Sequence, residues 1–209
     1  MKLKDPLSGA LHFAGVLLSV AAAIMLLLSA LGDPWKIVSF SIFGATLFIL
    51  YSFSTLYHWL PKEAGGRYQL FRKLDHSSIY LLIAGSYTPF CLVTIRGPWG
   101  WSLFGIVWGL AVTGILIKYL NINTGRWIRT LLYVGMGWIA VIAIRPILEN
   151  LSLNGLYLLV AGGLAYSIGG IFYTTKKPNF SKHFGFHELW HIFVLVGSFL
   201  HFLCVLIFV

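Results

Sequence analysis

The chain has 209 residues, of which 58% are apolar and only 10% charged, with a mean hydropathy of +0.85. A soluble globule carries about a quarter charged residues, so this composition excludes an ordinary water-soluble domain and makes lipid the solvent for most of the exterior. The net charge of +9 does not point to nucleic acid: the cations sit at the ends of apolar runs rather than on one stripe, and no nucleic-acid-binding motif is present.

Seven apolar runs follow one another, at residues 7–31, 35–60, 74–95, 99–120, 128–148, 151–174 and 186–209. Each is close to the ~20 residues a helix rising ~1.5 Å per residue needs to cross the hydrocarbon, and all are too long for barrel strands. Breakers separate them, among them Gly32-Asp33-Pro34, Pro61, Gly65-Gly66, Gly97-Pro98, Asn121 to Gly125, Asn150 and Pro178-Asn179. The expected fold is therefore an all-α membrane protein, one seven-helix transmembrane domain over residues 1–209. The first run follows Lys2 and Lys4 but exceeds the roughly 7–15 apolar residues of a signal peptide and lacks a small-x-small cleavage site, so it reads as an uncleaved span.

Charge sets the expected orientation. Lys2, Lys4, Lys62, Arg67, Arg72, Lys73, Lys118, Arg126, Arg129, Lys176, Lys177 and Lys182 fall on the N-terminal side, and only Lys36, Arg96 and Arg145 on the other. The positive-inside rule then places the N-terminus in the cytoplasm and the C-terminus outside an inner (plasma) membrane. Trp35, Trp59, Trp99, Trp101 and Trp127 lie near span ends, as an aromatic belt requires. Gly105-x-x-x-Gly109, Gly162-Gly163 and Gly169-Gly170 are expected to let helices approach closely. Cys91 and Cys204 form no C-x-x-C and read as buried packing residues.

Ionisable groups inside a membrane are costly, about 2.5–3.5 kcal/mol for a central Asp, Lys or Arg, so those that persist are candidates for function. Three clusters stand out: Ser54 to His58 ending the second span, Asp75-His76-Ser77-Ser78 opening the third, and His187-Glu-Leu-Trp-His191 opening the seventh. The topology puts all three on the cytoplasmic side, within roughly 10 Å of the surface. His187 and His191 are one helical turn apart and share a face, and His58 can complete three nitrogen ligands, the open arrangement of a catalytic zinc site. Zinc lowers the pKa of bound water to about 7. Asp75 would then orient that water or take its proton, and Ser54 would serve as a hydrogen-bond donor to the site or to a substrate carbonyl.

His12, His76, His183 and His201 read as satisfied amphipathic residues rather than ligands, His201 lying about 15 Å beyond His191 along the helix. His187 to His191 also matches H-E-x-x-H, but Val194 and Gly197 stand where the longer metalloprotease pattern needs Gly and His, and no acidic residue follows Glu188. A protease is therefore the weaker reading, with Glu188 expected to meet Lys182 or solvent. Asp75 alone would be explained by pairing with Arg72 or Lys73.

Ser54-x-x-x-His58, Lys73-Leu74-Asp75 before a small-residue span, and His187-x-x-x-His191 together resemble the hemolysin III family, over essentially the whole chain. That family belongs with the adiponectin-receptor-like (progestin and adipoQ receptor) proteins and the alkaline ceramidases. The resemblance implies a seven-helix fold with the N-terminus inside, Zn2+ held by His58, His187 and His191, Asp75 at the position that contacts the metal-bound water, and Ser54 as the motif serine. The chain lacks the long N-terminal region of the receptors. Three functions follow as expectations: a zinc-dependent hydrolase of a lipid amide or ester, with membrane lipids as substrate or ligand; a non-enzymatic membrane sensor with structural zinc; and a cytolysin. The last ranks lowest, because a secreted toxin needs a soluble form.

Overall fold

The computed structural model describes all residues except 1–2, 121, 123–124 and 182–183. Lys2, Asn121, Lys182 and His183, used above for charge, turn and ligand readings, lie outside the described residues. Among the described residues, seven helices are long and apolar enough to cross a membrane: α1 Pro6–Ser29, α2 Pro34–Trp59, α3 Gly66–Thr94, α4 Pro98–Tyr119, α5 Arg126–Asn150, α6 Leu153–Thr175 and α7 Phe186–Phe208. The protein is thus a multi-pass, all-helical membrane protein.

Local chemistry explains where the helices begin. Pro6, Pro34 and Pro98 occupy first-turn positions of α1, α2 and α4, where a missing N–H costs nothing. The Asp33 carboxylate caps α2, accepting from Trp35 N (2.8 Å) and Lys36 N (3.2 Å). Gly97, at φ +139°, makes the turn into α4 that a side chain would strain.

Six of the seven apolar runs match their helices to within about two residues at each end; the larger difference in bounds concerns α3, and α5 differs in being broken. α3 starts eight residues before the run at 74, because Gly66 to Lys73 form polar helical turns ahead of the apolar stretch. Near its other end Pro89 has no N–H to give, and residues Phe90–Thr94 continue as π-helical turns. α5 is interrupted by 3-10 turns at Ile139–Ala143. The Tyr87 hydroxyl of α3 tends this break, accepting from Ala140 N (2.9 Å) and donating toward Gly137 O (2.5 Å) and Met136 O (3.1 Å). A neighbouring helix thereby satisfies backbone groups that lipid could not.

α3 is the interior helix, 72% of its apolar window being buried against 22–50% in the others. It packs on α2, α4 and α5, while α7 packs on α6 and α1, and α1 on α2. Close approach depends on glycine at particular places: Gly162 lies against the His201 ring, and Gly169 against Phe193 and Trp190. Gly105 and Gly109 do not serve this purpose, since open space adjoins both. The end of α2 and the beginnings of α3 and α7 therefore meet at one end of the bundle, the end that carries Lys62, Arg67, Arg72 and Lys73.

Candidate metal centre

His58 stands in the last turn of α2 and is buried, His187 and His191 occupy the first turns of α7, and His191 is buried while His187 is half-buried. One ring nitrogen from each lies within 4.8 Å of the others. His187 Nε2 and His191 Nε2 are 3.2 Å apart, and ring centroids separate by 5.0, 4.8 and 4.7 Å for the three pairs.

The outer nitrogen of His58 fixes which of its nitrogens is free. His58 Nδ1 donates to Asp5 Oδ2 at 3.0 Å, a carboxylate being able only to accept. This leaves His58 Nε2 as a lone pair directed inward. His191 Nδ1 lies 2.7 Å from His12 Nε2, so the pair shares one hydrogen bond. With His191 as its donor, His191 Nε2 likewise presents a lone pair. With His187 in its Nδ1–H tautomer three lone pairs converge, and a cation is the group that such a donor set fits. The cluster is able to hold a metal ion, and Zn–N bonds of ~2.0–2.1 Å are within reach of this spacing.

Nothing in the sequence marks Asp5, and His12 reads there as a satisfied amphipathic residue; both act on the triad from outside it. Asp5 N also donates to His58 O (2.9 Å), and Lys4 Nζ sits 2.9 Å from the same carboxylate and 4.0 Å above the Tyr57 ring. Partial burial pushes the Asp5 carboxyl up, but the hydrogen bonds from His58 and Lys4 outweigh it and hold Asp5 well below the usual carboxylate range. Lys4 is raised: burial opposes its charge, and Asp5 and Tyr57 more than compensate. For Glu188 the expected contact with Lys182 lies outside the described residues. Its two oxygens accept from Ser8 Oγ (2.8 Å) and Gly185 N (2.9 Å), capping α7 and tying it to α1.

The triad opens on a cavity of about 330 Å3 whose walls come from every helix except α4. Asp75, Ser54, His12, His76 and His201 all line it. Asp75 forms no ion pair with Arg72 or Lys73 among the described residues; its Oδ2 lies 3.5 Å from His76 Nδ1. Ser54 is 1% exposed and its hydroxyl has no protein partner, an unusual state for a buried donor. His201 sits at the deep end, its Nε2 3.2 Å from Leu159 O, and is no part of the three-nitrogen group. Both cysteines are free and buried.

Residues 1–202 match the family described as Haemolysin-III related. The chain is similar to Hemolysin-3 of Bacillus cereus, 44% identical over 212 residues that cover 99% of this chain and 93% of that one. Against the Hemolysin-3 homolog of Bacillus subtilis (strain 168) the identity is 42%, covering 98% and 94%. The human Monocyte to macrophage differentiation factor is 28% identical over 176 residues, covering 81% of this chain and 70% of its own.

Proposed function

The chain belongs to the haemolysin-III family, and on that footing we propose that it is a zinc-dependent hydrolase of an amide or ester bond in a membrane lipid. The observation that carries this reading is the meeting of three imidazoles with an unpartnered buried hydroxyl and a carboxylate around one cavity. His58, His187 and His191 would hold the ion. When bound there, zinc supplies Lewis acidity, polarising a carbonyl and acidifying water near neutral pH. Asp75 takes the proton of the attacking water and holds it for the leaving group. The Ser54 hydroxyl, with no other partner, donates to the substrate carbonyl oxygen. Asp5 and His12 orient His58 and His191.

The cavity suits an amphiphile. It has cations, including Arg72, at one end, apolar walls such as Leu82, Ile83 and Val194, and His201 at its depth. His191 and His201 are ten residues apart, so it reaches about 15 Å into the bundle. Its volume lies in the ordinary range of ligand sites. We place the basic end in the cytoplasm of an inner-membrane protein, on the charge distribution.

Purified protein in lipid nanodiscs is expected to release a free acid from one lipid class, to stop on chelation and to resume on adding zinc. Turnover unaffected by complete metal removal would refute the proposal. Asp5→Asn is expected to weaken zinc affinity about 10–100-fold, read by competition with a chromophoric chelator, because an amide cannot hold the charge that favours the His58 Nδ1–H tautomer. Unchanged affinity would remove Asp5 from the site.

A second reading has its own support: the Asp5–His58 and Ser8–Glu188 bonds bind α1 to α2 and α7 around the triad, as a structural zinc would. A non-enzymatic sensor of this kind would keep its phenotype in an Asp75 variant.

A further inference from the structure

A second cavity, of about 200 Å3, lies between α3, α4 and the start of α5, and its polar wall is almost wholly cationic. Arg72 and Lys73 of α3, Lys118 of α4 and Arg129 of α5 line it, with Gln69 and the Tyr80 and Tyr133 rings completing the walls. Gly114 lets the Tyr80 ring form the floor, since a side chain there would collide with it. Lys73, Lys118 and Arg129 are half-buried, so these are not simply solvated charges at a membrane edge.

Their charges are not balanced from within the protein. The side chains of Arg72, Lys118 and Arg129 make no hydrogen bond or ion pair among the described residues, and Lys73 is directed at the Tyr119 ring, 6.0 Å from its centroid. Asp75 is the carboxylate whose field reaches Lys118, and it is outnumbered. The helix termini nearest the pocket are the starts of α3 and α5 and the end of α4, which carries Lys118 in its last turn. Three half-buried cations and the exposed Arg72, converging on one pocket, repel one another. An anion relieves that repulsion, and the guanidinium forks of Arg72 and Arg129 match tetrahedral oxyanions.

We propose that this pocket binds a phosphate group, carried by an anionic phospholipid or present as the free ion. Arg72 and Arg129 also line the larger cavity, so a bound phosphate would sit at the doorway of the imidazole site. The proposal does not depend on hydrolysis or on zinc.

The test uses full-length protein in nonionic maltoside micelles, with melting temperature read against added ligand. The ligands are inorganic phosphate, phosphatidylglycerol, and diacylglycerol as the phosphate-free control. Wild type is expected to be stabilised by phosphatidylglycerol and not by diacylglycerol. Arg129→Gln/Lys118→Gln is expected to weaken the apparent affinity about ten-fold or more, one charge-assisted contact being worth roughly that factor. Each single variant is expected to lose part of the shift, which keeps the test open if the pair does not fold. Lys62→Gln/Arg67→Gln, which removes cations from the same end but outside the pocket, is expected to retain the full shift. Stabilisation by the lipid at a tenth or less of the phosphate concentration assigns a lipid headgroup; stabilisation by phosphate alone assigns the free ion. Absence of any phosphate-dependent shift in wild type, or an equal shift in the pocket variants, overturns the proposal. Zinc content, measured on the same samples, is expected to be unchanged, so failure here is distinct from failure at the imidazoles.

Discussion

Replacing Asp75 with Asn is expected to lower lipid turnover by about 10²–10⁴-fold, the usual contribution of a positioned acid–base group, while leaving zinc content and melting temperature near wild type. The expectation follows from where Asp75 stands. It shares the cavity with the triad but is not one of the three nitrogen donors, so losing its charge removes a proton acceptor and no ligand. Asn has nearly the same volume, and the neighbouring contact with His76 at 3.5 Å is long enough to survive as a packing contact. Mass spectrometry of lipids in nanodiscs measures the loss, with elemental analysis of the same preparation for zinc. Full turnover in Asp75→Asn would remove Asp75 from the chemistry.

His191→Ala should have the larger effect on the centre itself. His191 is 2% exposed and meets His187 on one side and His12 on the other. Its removal takes away a donor atom and also strands His12 as a buried polar group without its partner, which costs about 1–3 kcal/mol. Bound zinc is expected to fall from about one per chain to less than a tenth of that, with a lowered melting temperature. His191→Cys, which restores a donor atom of another kind, is expected to recover part of the zinc. His76→Ala, in the same cavity but outside the triad, is expected to keep all of it. A zinc content unchanged in His191→Ala would mean that the metal sits elsewhere.

Much of this site can be read from sequence because two simple regularities coincide. One helical turn separates His187 from His191, which places both rings on one face. Alternation of spans then puts the end of α2 and the starts of α3 and α7 at one level, which brings in His58, Asp75 and Ser54. The same test of level would have found Asp5 and His12. Asp5 immediately precedes α1, and His12 lies seven residues later, about 10 Å deeper, level with His191. No local pattern marks them: Asp5 looks like an interfacial charge and His12 like an isolated histidine on an apolar helix. Their roles arise only from α1 packing against α2 and α7. Glu188 shows the reverse: its position inside H-E-x-x-H invites a chemical role that the longer pattern does not support, and its oxygens are occupied by Ser8 and Gly185.

The helix ends show the same division. Pro6, Pro34 and Pro98 announce their helices because proline acts through its own backbone. The polar opening of α3 carries no hydropathy signal, so an apolar-run search starts it too late. The break in α5 depends on a hydroxyl from another helix, Tyr87, and nothing within residues 139–143 forecasts it. Gly105-x-x-x-Gly109 has the small-residue spacing of a helix contact, yet no neighbour approaches it, because spacing alone does not say which face of a helix is covered.

The most direct test is zinc-edge X-ray absorption on wild-type protein purified without added metal. The expected result is about one zinc per chain with three imidazole nitrogens among its neighbours. Protein that purifies without zinc and takes none up, or zinc whose shell lacks those three nitrogens, would contradict a centre built from His58, His187 and His191.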